Sequence, residues 1–333
     1  MTAVQPQTTM SPALVRHGRF NELHQDIRLC QDLSDLAGEA QCMALEGMTG
    51  TGKTTLVKSY ASAFTRQETT SKTKIPVFYM ETPTPVTVKG MAARMLETLG
   101  DPAAHRGPLW SMNSRLIHFL RLCEVQLVIL DDFHHLIDQE TKRILETVSD
   151  WLKVLIKETN IPFLVVGLEG SVTQILQANA QLSRLFAVRE TLYPFAWSIT
   201  DVSLNQDFVS FIQYVETSVP LSFSDELPRA EWLHRLHYAT DGVIANVMDL
   251  VRLAVWLAHQ QHAQTLSLTL LSQAFDKRLA QHLPQKTNPF VTATTQHFTT
   301  APTSPTDASD SVSRRGARRQ KRPVKTVEIL QTK

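Results

Sequence analysis

The chain has 333 residues, of which 43% are hydrophobic and 20% charged, enough apolar material for a sizeable core spread over roughly two domains. A formal net charge of +1 excludes a protein held to nucleic acid by bulk charge, so any such contact must come from local patches. The three cysteines, Cys30, Cys42 and Cys123, form no CxxC pair, which excludes a disulfide framework and predicts buried free thiols.

No apolar run is long enough to suggest a membrane span. The N-terminus lacks a charged start followed by an apolar block, so a cytoplasmic protein without a membrane partner is expected. Residues 1–15 are polar and read as a flexible arm. Phe20 to Leu29 reads as an amphipathic helix and a second short helix runs to Leu36; these either close over the adenine, with Val15, Arg16 and Phe20 nearby, or are plain packing helices.

The run Cys42–Glu46 is short and apolar, as a buried strand should be. It leads into Gly47-Met48-Thr49-Gly50-Thr51-Gly52-Lys53-Thr54, followed by Thr55 and apolar residues at helical spacing to Phe64. Strand, glycine-rich loop and helix in that order are the context of a phosphate-binding P-loop. The glycines let backbone N–H groups turn inward on an anion, and the helix N-terminus adds its positive end. Lys53 supplies a mobile cation for the β- and γ-phosphates of ATP, and Thr54 a hydroxyl for Mg²⁺.

After a polar loop, Gln67 to Lys74, the strand 75–80 leads through a proline-rich turn to a helix over Val88–Leu99, stopped by Gly100-Asp101-Pro102. A loop with His105 and Arg106 precedes a helix over Ser114–Cys123. Leu127-Val128-Ile129-Leu130-Asp131-Asp132 is a buried strand ending in two carboxylates. Asp131 is placed to hold Mg²⁺ and Asp132 to orient or deprotonate the attacking water. Acids that merely cap the next helix are the plainer alternative, outweighed by the P-loop upstream. His134 and His135 are adjacent, point to different helix faces and make poor metal spacing; they read as packing or surface residues.

A long amphipathic helix is expected over 136–159, with Ile144, Leu145, Val148, Trp151, Leu152 and Leu155 on its apolar face. The strand 162–167, a short helix over Ser171–Ala178, the stretch Leu182–Phe186 and a last strand, 187–192, complete five strand–helix units. Such repetition implies a parallel sheet with helices on both faces. Past Pro194 helices are expected over 201–217, 229–240, 243–261 and 268–282, an all-α domain. From 284 the chain turns Ser/Thr/Pro-rich, a disordered linker, and ends in a basic cluster from Arg314 to Lys325.

P-loop, paired acids and C-terminal helical lid together resemble an AAA+ ATPase, and more narrowly the TniB/TnsC transposition regulators, including those of CRISPR-associated transposons. The resemblance runs from about Arg16 to His282. It rests on Leu45–Thr54, Leu127–Leu136, Ile161–Gly167, Leu182–Phe186 and Ala239–Ile244. It implies an AAA+ nucleotide-binding domain over 16–195, a lid over 196–283 and a linker and tail over 284–333. It implies an extra strand between those of the P-loop and Asp131. It implies ATP-dependent assembly of a homo-oligomer, ring or helical filament, on double-stranded DNA, with a DDE-type transposase and a TniQ-like targeting protein as partners, and disassembly on hydrolysis. By the same resemblance Arg184 stands at the place of an arginine finger reaching a neighbour's γ-phosphate, a task that suits a guanidinium, with Arg189 as the fallback. Lys89 and Arg106 stand where relatives touch DNA, through phosphates rather than bases.

Three departures stand out. The second acid is usually Glu, and Asp132 is about one methylene shorter, which predicts slow hydrolysis. Gly167 and Leu168 offer no polar sensor, and Glu169 would be an unusual one. Ala245 and Asn246 stand where the lid commonly carries an arginine. These departures leave an ATP-locked scaffold as one alternative; a replication-type helicase loader is the other.

Overall fold

The computed structural model describes residues 17–70, 72–136, 142–219 and 221–291. The expected arm over 1–15, Arg16 and the basic tail lie outside them. Five strands, β1 (Met43–Glu46), β2 (Val77–Glu81), β3 (Leu127–Asp131), β4 (Phe163–Val166) and β5 (Val188–Thr191), form one sheet in the order β2-β3-β4-β1-β5. Every pairing in it is parallel, so each connection must cross over a face of the sheet. The extra strand implied between the P-loop and the paired acids is β4.

The period-two alternation of strand side chains decides which helices cover which face. Met43, Leu45, Leu127, Ile129, Leu164 and Val166 point to one side, where α1 (Gly18–Ala37) and α2 (Lys53–Ser62) pack. Ala44, Val128, Leu130, Phe163 and Val165 point to the other. There they meet α3 (Val88–Leu99), α4 (Leu109–Leu122), α5 (Lys142–Thr159), α6 (Ser171–Gln177) and α7 (Ala180–Leu185). β3 and β4 are buried along their whole length, which accounts for their uninterrupted apolar runs.

The second core belongs to α8 (Gln206–Ser218), α9 (Arg229–Thr240), α10 (Ile244–Gln260) and α11 (Leu268–Arg278). The linker expected from 284 does not start there, because the first residues beyond that point are packed; the rest of it, from 292, lies outside the described residues. Phe290 is buried near Trp232, Asn288 bonds Ser272 and Asp276, and Lys286 bonds the Tyr238 carbonyl and Asp241. Arg235, fully buried, pairs with Glu231 at 2.7 Å and donates to the Pro289 carbonyl at 2.9 Å.

Other differences are local. The stretch Leu182–Phe186 falls largely in α7, which Asn179 caps by accepting from Gln181 N and Leu182 N. The polar loop after α2 carries a short antiparallel pair, Gln67–Glu68 with Thr73–Lys74. α4 starts five residues earlier than expected, directly after Pro108, whose fixed φ suits a helix start. All three cysteines are buried free thiols, with burial pushing Cys30 up to about 11 and Cys42 up to about 12. Among the described residues no single helix is long and apolar enough to cross a membrane.

Candidate nucleotide-binding site

The loop 47–52 leaves the C-terminal end of β1 and closes into α2 at Lys53. Gly50 and Gly52 take φ +84 and +99, a region that L side chains rarely adopt. A Cβ on Gly47 would sit 2.4 Å from the Leu192 carbonyl oxygen, so the strand next to β1 also requires a glycine there. Gly52 caps α2 without a side chain, leaving the first N–H groups of the helix to whatever lies in front of them.

In front of them is a cavity of about 560 Å³. Thr49, Gly50, Gly52, Lys53, Thr54 and Thr55 form one wall, and Asp132 with His134 and His135 another. Met48 is half exposed at the loop's tip. Thr51 is buried and donates to the Met48 carbonyl at 3.0 Å, so its hydroxyl holds the loop's own shape. Lys53 Nζ donates to the carbonyls of Gly47 and Met48, each at 2.8 Å. Burial pulls its pKa down, and Asp131, Asp132 and Glu169 work against that pull.

Asp131 ends β3 and is almost fully buried. Its carboxylate accepts from Asp132 N at 2.9 Å, from Tyr79 Oη at 3.0 Å and from the Thr54 hydroxyl. Burial raises its pKa, and these three donors oppose the rise. The Asp131 carbonyl in turn is held by Thr82, through N at 2.9 Å and Oγ1 at 2.7 Å. Asp132 follows with φ +53, a left-handed residue that Asp tolerates and that turns the chain so both acids face the loop. Among the described residues no three His, Cys, Asp or Glu side chains gather as a metal cage. Two hard oxygen donors, Asp131 and Thr54, suit a Mg²⁺ that completes its shell with phosphate and water.

Tyr79 and Thr82 carry no motif that marks them in the sequence. The parallel register of β2 and β3 sets Glu81 beside Asp131 and Tyr79 beside Ile129, so a tyrosine two residues short of the strand end was the available signal. His134 and His135 line the cavity, which surface or packing roles did not anticipate. Glu46 is a further residue that no motif singles out: its carboxylate accepts from Thr173 N at 2.5 Å and from Thr173 Oγ1 at 3.0 Å, fixing α6 against the root of the loop.

The helical domain covers the cavity. Gly242 has φ +65 and its carbonyl accepts from Phe195 N at 3.0 Å. That turn delivers α10 onto the loop, where Ala245 N donates to the Gly50 carbonyl at 3.0 Å and the Ile244 Cδ1 atom lies 3.3 Å from a Cβ built on Gly52. Asn246 turns back, donates to the Thr240 carbonyl at 3.1 Å and does not line the cavity.

The remaining candidate residues lie outside the cavity. Arg184 lies in the last turn of α7, exposed and without a bonded partner among the described residues, whereas Arg189 is tied to Ser183 Oγ at 2.6 Å and the Phe186 carbonyl at 3.2 Å. Lys89 is exposed in the first turn of α3, behind the Thr87 cap. Arg106 is exposed on a loop that Arg115 braces, through Asp101 at 2.9 Å and the carbonyls of Ala103 and Arg106 at 2.8 and 3.0 Å.

Among solved structures the chain is similar to the ORC2 protein of Aeropyrum pernix in ADPNP–ADP complexes, with 17% identity, TM-score 0.56 and coverage of 80% of this chain and 69% of that one. It is similar to Cdc6p of Pyrobaculum aerophilum, with 15% identity, TM-score 0.59 and coverage of 82% and 71%. The ORC1 protein of Aeropyrum pernix in complex with DNA gives 16% identity, TM-score 0.56 and coverage of 83% and 70%. At these identities the likeness is one of fold, the AAA+ nucleotide-binding fold with its helical lid. No curated protein matches. Residues 7–194 match the family described as bacterial TniB protein, and the chain therefore belongs to the TniB family.

Proposed function

We propose that this chain is an ATP-hydrolysing, DNA-binding regulator of transposition. It binds ATP with Mg²⁺, assembles as a homo-oligomer on double-stranded DNA, links a TniQ-like targeting protein to a DDE-type transposase, and disassembles on hydrolysis. The observation that carries this reading is the cavity itself. A glycine-rich loop with Lys53 faces the buried Asp131–Thr54 pair, under a helical domain bonded to Gly50. Lys53 and the loop amides hold the phosphates, Thr54 and Asp131 the metal, and Asp132 the attacking water. Mg²⁺ there would offset charge on the β- and γ-phosphates.

Arg184, exposed and unbonded among the described residues, is free to complete the site of an adjacent subunit, which Arg189 is not. Lys89 supports the DNA reading: exposed in the first turn of α3, it adds its charge to the positive end of the helix, where a phosphate can be held. Arg106 on its braced loop is the second contact. The test is assembly with ATP on long duplex DNA, followed by electron microscopy and mass photometry. Particles larger than the monomer are expected for the wild type and none for Lys53→Ala; a wild type that stays monomeric sinks the proposal. Arg184→Ala should bind ATP normally yet fail to assemble or hydrolyse.

An ATP-locked scaffold is favoured by a separate set of observations. Asp132 is short, the chain after β4 offers the cavity only the apolar Leu168, and Asn246 is turned away. Phosphate release with and without DNA decides: none under either condition selects the scaffold.

A further inference from the structure

We propose that Lys286, beyond the last helix of the lid, is a positioning residue for the nucleotide cavity: it fixes the turn that seats α10 on the P-loop, so the segment after α11 sets how firmly the lid closes. The inference rests on the reading of the cavity as an ATP site for one of its two tests. The Lys286 ammonium bonds two groups at the end of α9, the Tyr238 carbonyl and the Asp241 carboxylate, and lies over the Tyr238 ring, 4.6 Å from its centroid. A cation suits this place, since the last carbonyls of a helix lack partners and carry its negative end. The Lys286 side chain is 10% exposed and that of Asp241 50%, so the ammonium has left most of its water and depends on these two acceptors.

The same turn meets the loop. Asp241 and Gly242 take φ +53 and +65 and reverse the chain between α9 and α10. Just beyond them, the Ala245 amide donates to the Gly50 carbonyl at 3.0 Å. The fit leaves no slack: a Cβ built on Gly50 would lie 2.9 Å from the Ala245 Cβ and 3.0 Å from the Val243 Cγ1. A displacement of the turn is therefore passed to the loop by direct contact. Ile244, Ala245 and Met248 line the cavity together with Lys53 and Thr54, so a nucleotide there touches loop and lid at once and binds the seated lid more tightly than a lifted one.

Lys286 can serve as a fixed point because its own segment is fastened on both sides. Its N–H donates to the Leu283 carbonyl at 2.9 Å. Asn288 Nδ2 donates to Ser272 Oγ at 2.9 Å and to Asp276 Oδ1 at 2.8 Å, both on α11. Arg235 on α9 holds the Pro289 carbonyl, and Phe290 is buried. The segment thus ties α9 to α11, and Lys286 extends that tie to the turn. Among the described residues Asp241 has no other bonded side-chain partner. Phe195 N holds the Gly242 carbonyl from the nucleotide-binding domain, and Lys286 holds Asp241 from the opposite end of the chain. Loss of that second hold shifts the lid from seated toward lifted, and both ADP and ATP feel the shift alike, because neither touches Lys286.

The test uses the full chain and two measurements. Hydrogen exchange of the peptide carrying the Ala245 amide reports seating of the lid without nucleotide; titration with fluorescent mant-ADP and mant-ADPNP, with Mg²⁺, reports the cavity. Lys286→Met keeps the apolar stem and removes the charge. Asp241→Asn removes the partner's charge and accepts a left-handed φ, which keeps the test open if Lys286→Met does not fold. Each should speed exchange about fivefold where the lid rests seated, or weaken both nucleotides equally by about fivefold where it rests lifted, the scale of one hydrogen bond. The double variant should lose no more than either single one. Arg229→Met breaks another lid ion pair, with Glu216 at 2.6 Å at the far end of α9, and should move neither measurement. No change in either, unequal effects on the two nucleotides, additive losses in the double variant, or the same change in Arg229→Met would overturn the assignment. Failure of the ATP-site reading looks different: the wild type would bind neither nucleotide, and exchange at Ala245 would then decide on Lys286 alone.

Discussion

Mild acid should loosen the joint between the two domains, through His237. This imidazole is buried at the turn where Phe195 meets Gly242; Nε2 donates to the Phe195 carbonyl at 2.7 Å and Nδ1 is buried without a partner among the described residues. Burial is the largest influence on it and pushes its pKa down to about 4; Lys286 and His234 push the same way, while the Phe195 bond and Asp241 oppose them. An unfolded histidine titrates near 6.5, as a typical value. Below that pH the unfolded chain takes up a proton that the folded chain refuses, so stability is full above about 6.5 and falls as pH drops toward 4. Between pH 7 and pH 5 this one group removes about 2 kcal/mol.

Urea unfolding at the two pH values measures the loss, and His237→Gln isolates it. Glutamine keeps a donor for the Phe195 carbonyl and carries no titrating group. The wild type should lose about 2 kcal/mol more than the variant over the interval, whatever the carboxylates contribute to both. Parallel losses in the two proteins would refute the reasoning.

Gly242→Ala should destabilise by roughly 2–4 kcal/mol, because the added Cβ would lie 2.2 Å from the Phe195 carbonyl oxygen at a φ of +65; urea midpoints would show it, and an unchanged midpoint would mean the turn is not held as described. Tyr79→Phe removes a donor from Asp131 Oδ2 and should cost about 1–2 kcal/mol, while raising the Mg²⁺ concentration needed for half-maximal ATP turnover. Lys89→Glu should weaken duplex binding and lower the slope of log affinity against log salt by about one, the increment of a single phosphate ion pair; an unaltered slope would remove Lys89 from the interface.

The fold was legible because its strands announce themselves. Leu127–Leu130 and Phe163–Val166 are apolar without interruption, as only strands covered on both faces need be, and the P-loop names the strand and helix on either side of it. The site was legible wherever chemistry sits next to that motif: Lys53, Thr54, Asp131 and Asp132 are neighbours of recognisable runs. Tyr79, which bonds Asp131, and Arg252, which lines the cavity, were not, since each is placed by a geometric relation between elements far apart in sequence. Tyr79 depends on the register of two parallel strands. Arg252 depends on α10 being seated on the loop through the Ala245–Gly50 bond. The packed segment 286–290 hid for a different reason, since its lysine, asparagine and proline look like linker until a buried arginine and a phenylalanine pocket receive them.

The bond from the Ala245 amide to Gly50 makes α10 a lever whose fulcrum is the loop itself. At 17 residues the helix is about 25 Å long, so rotating it by about 10° carries its far end through about 4 Å. A shift of the loop too small to see on its own would thus become, at the outer rim where Trp256 stands exposed, a displacement large enough for a neighbouring molecule to feel.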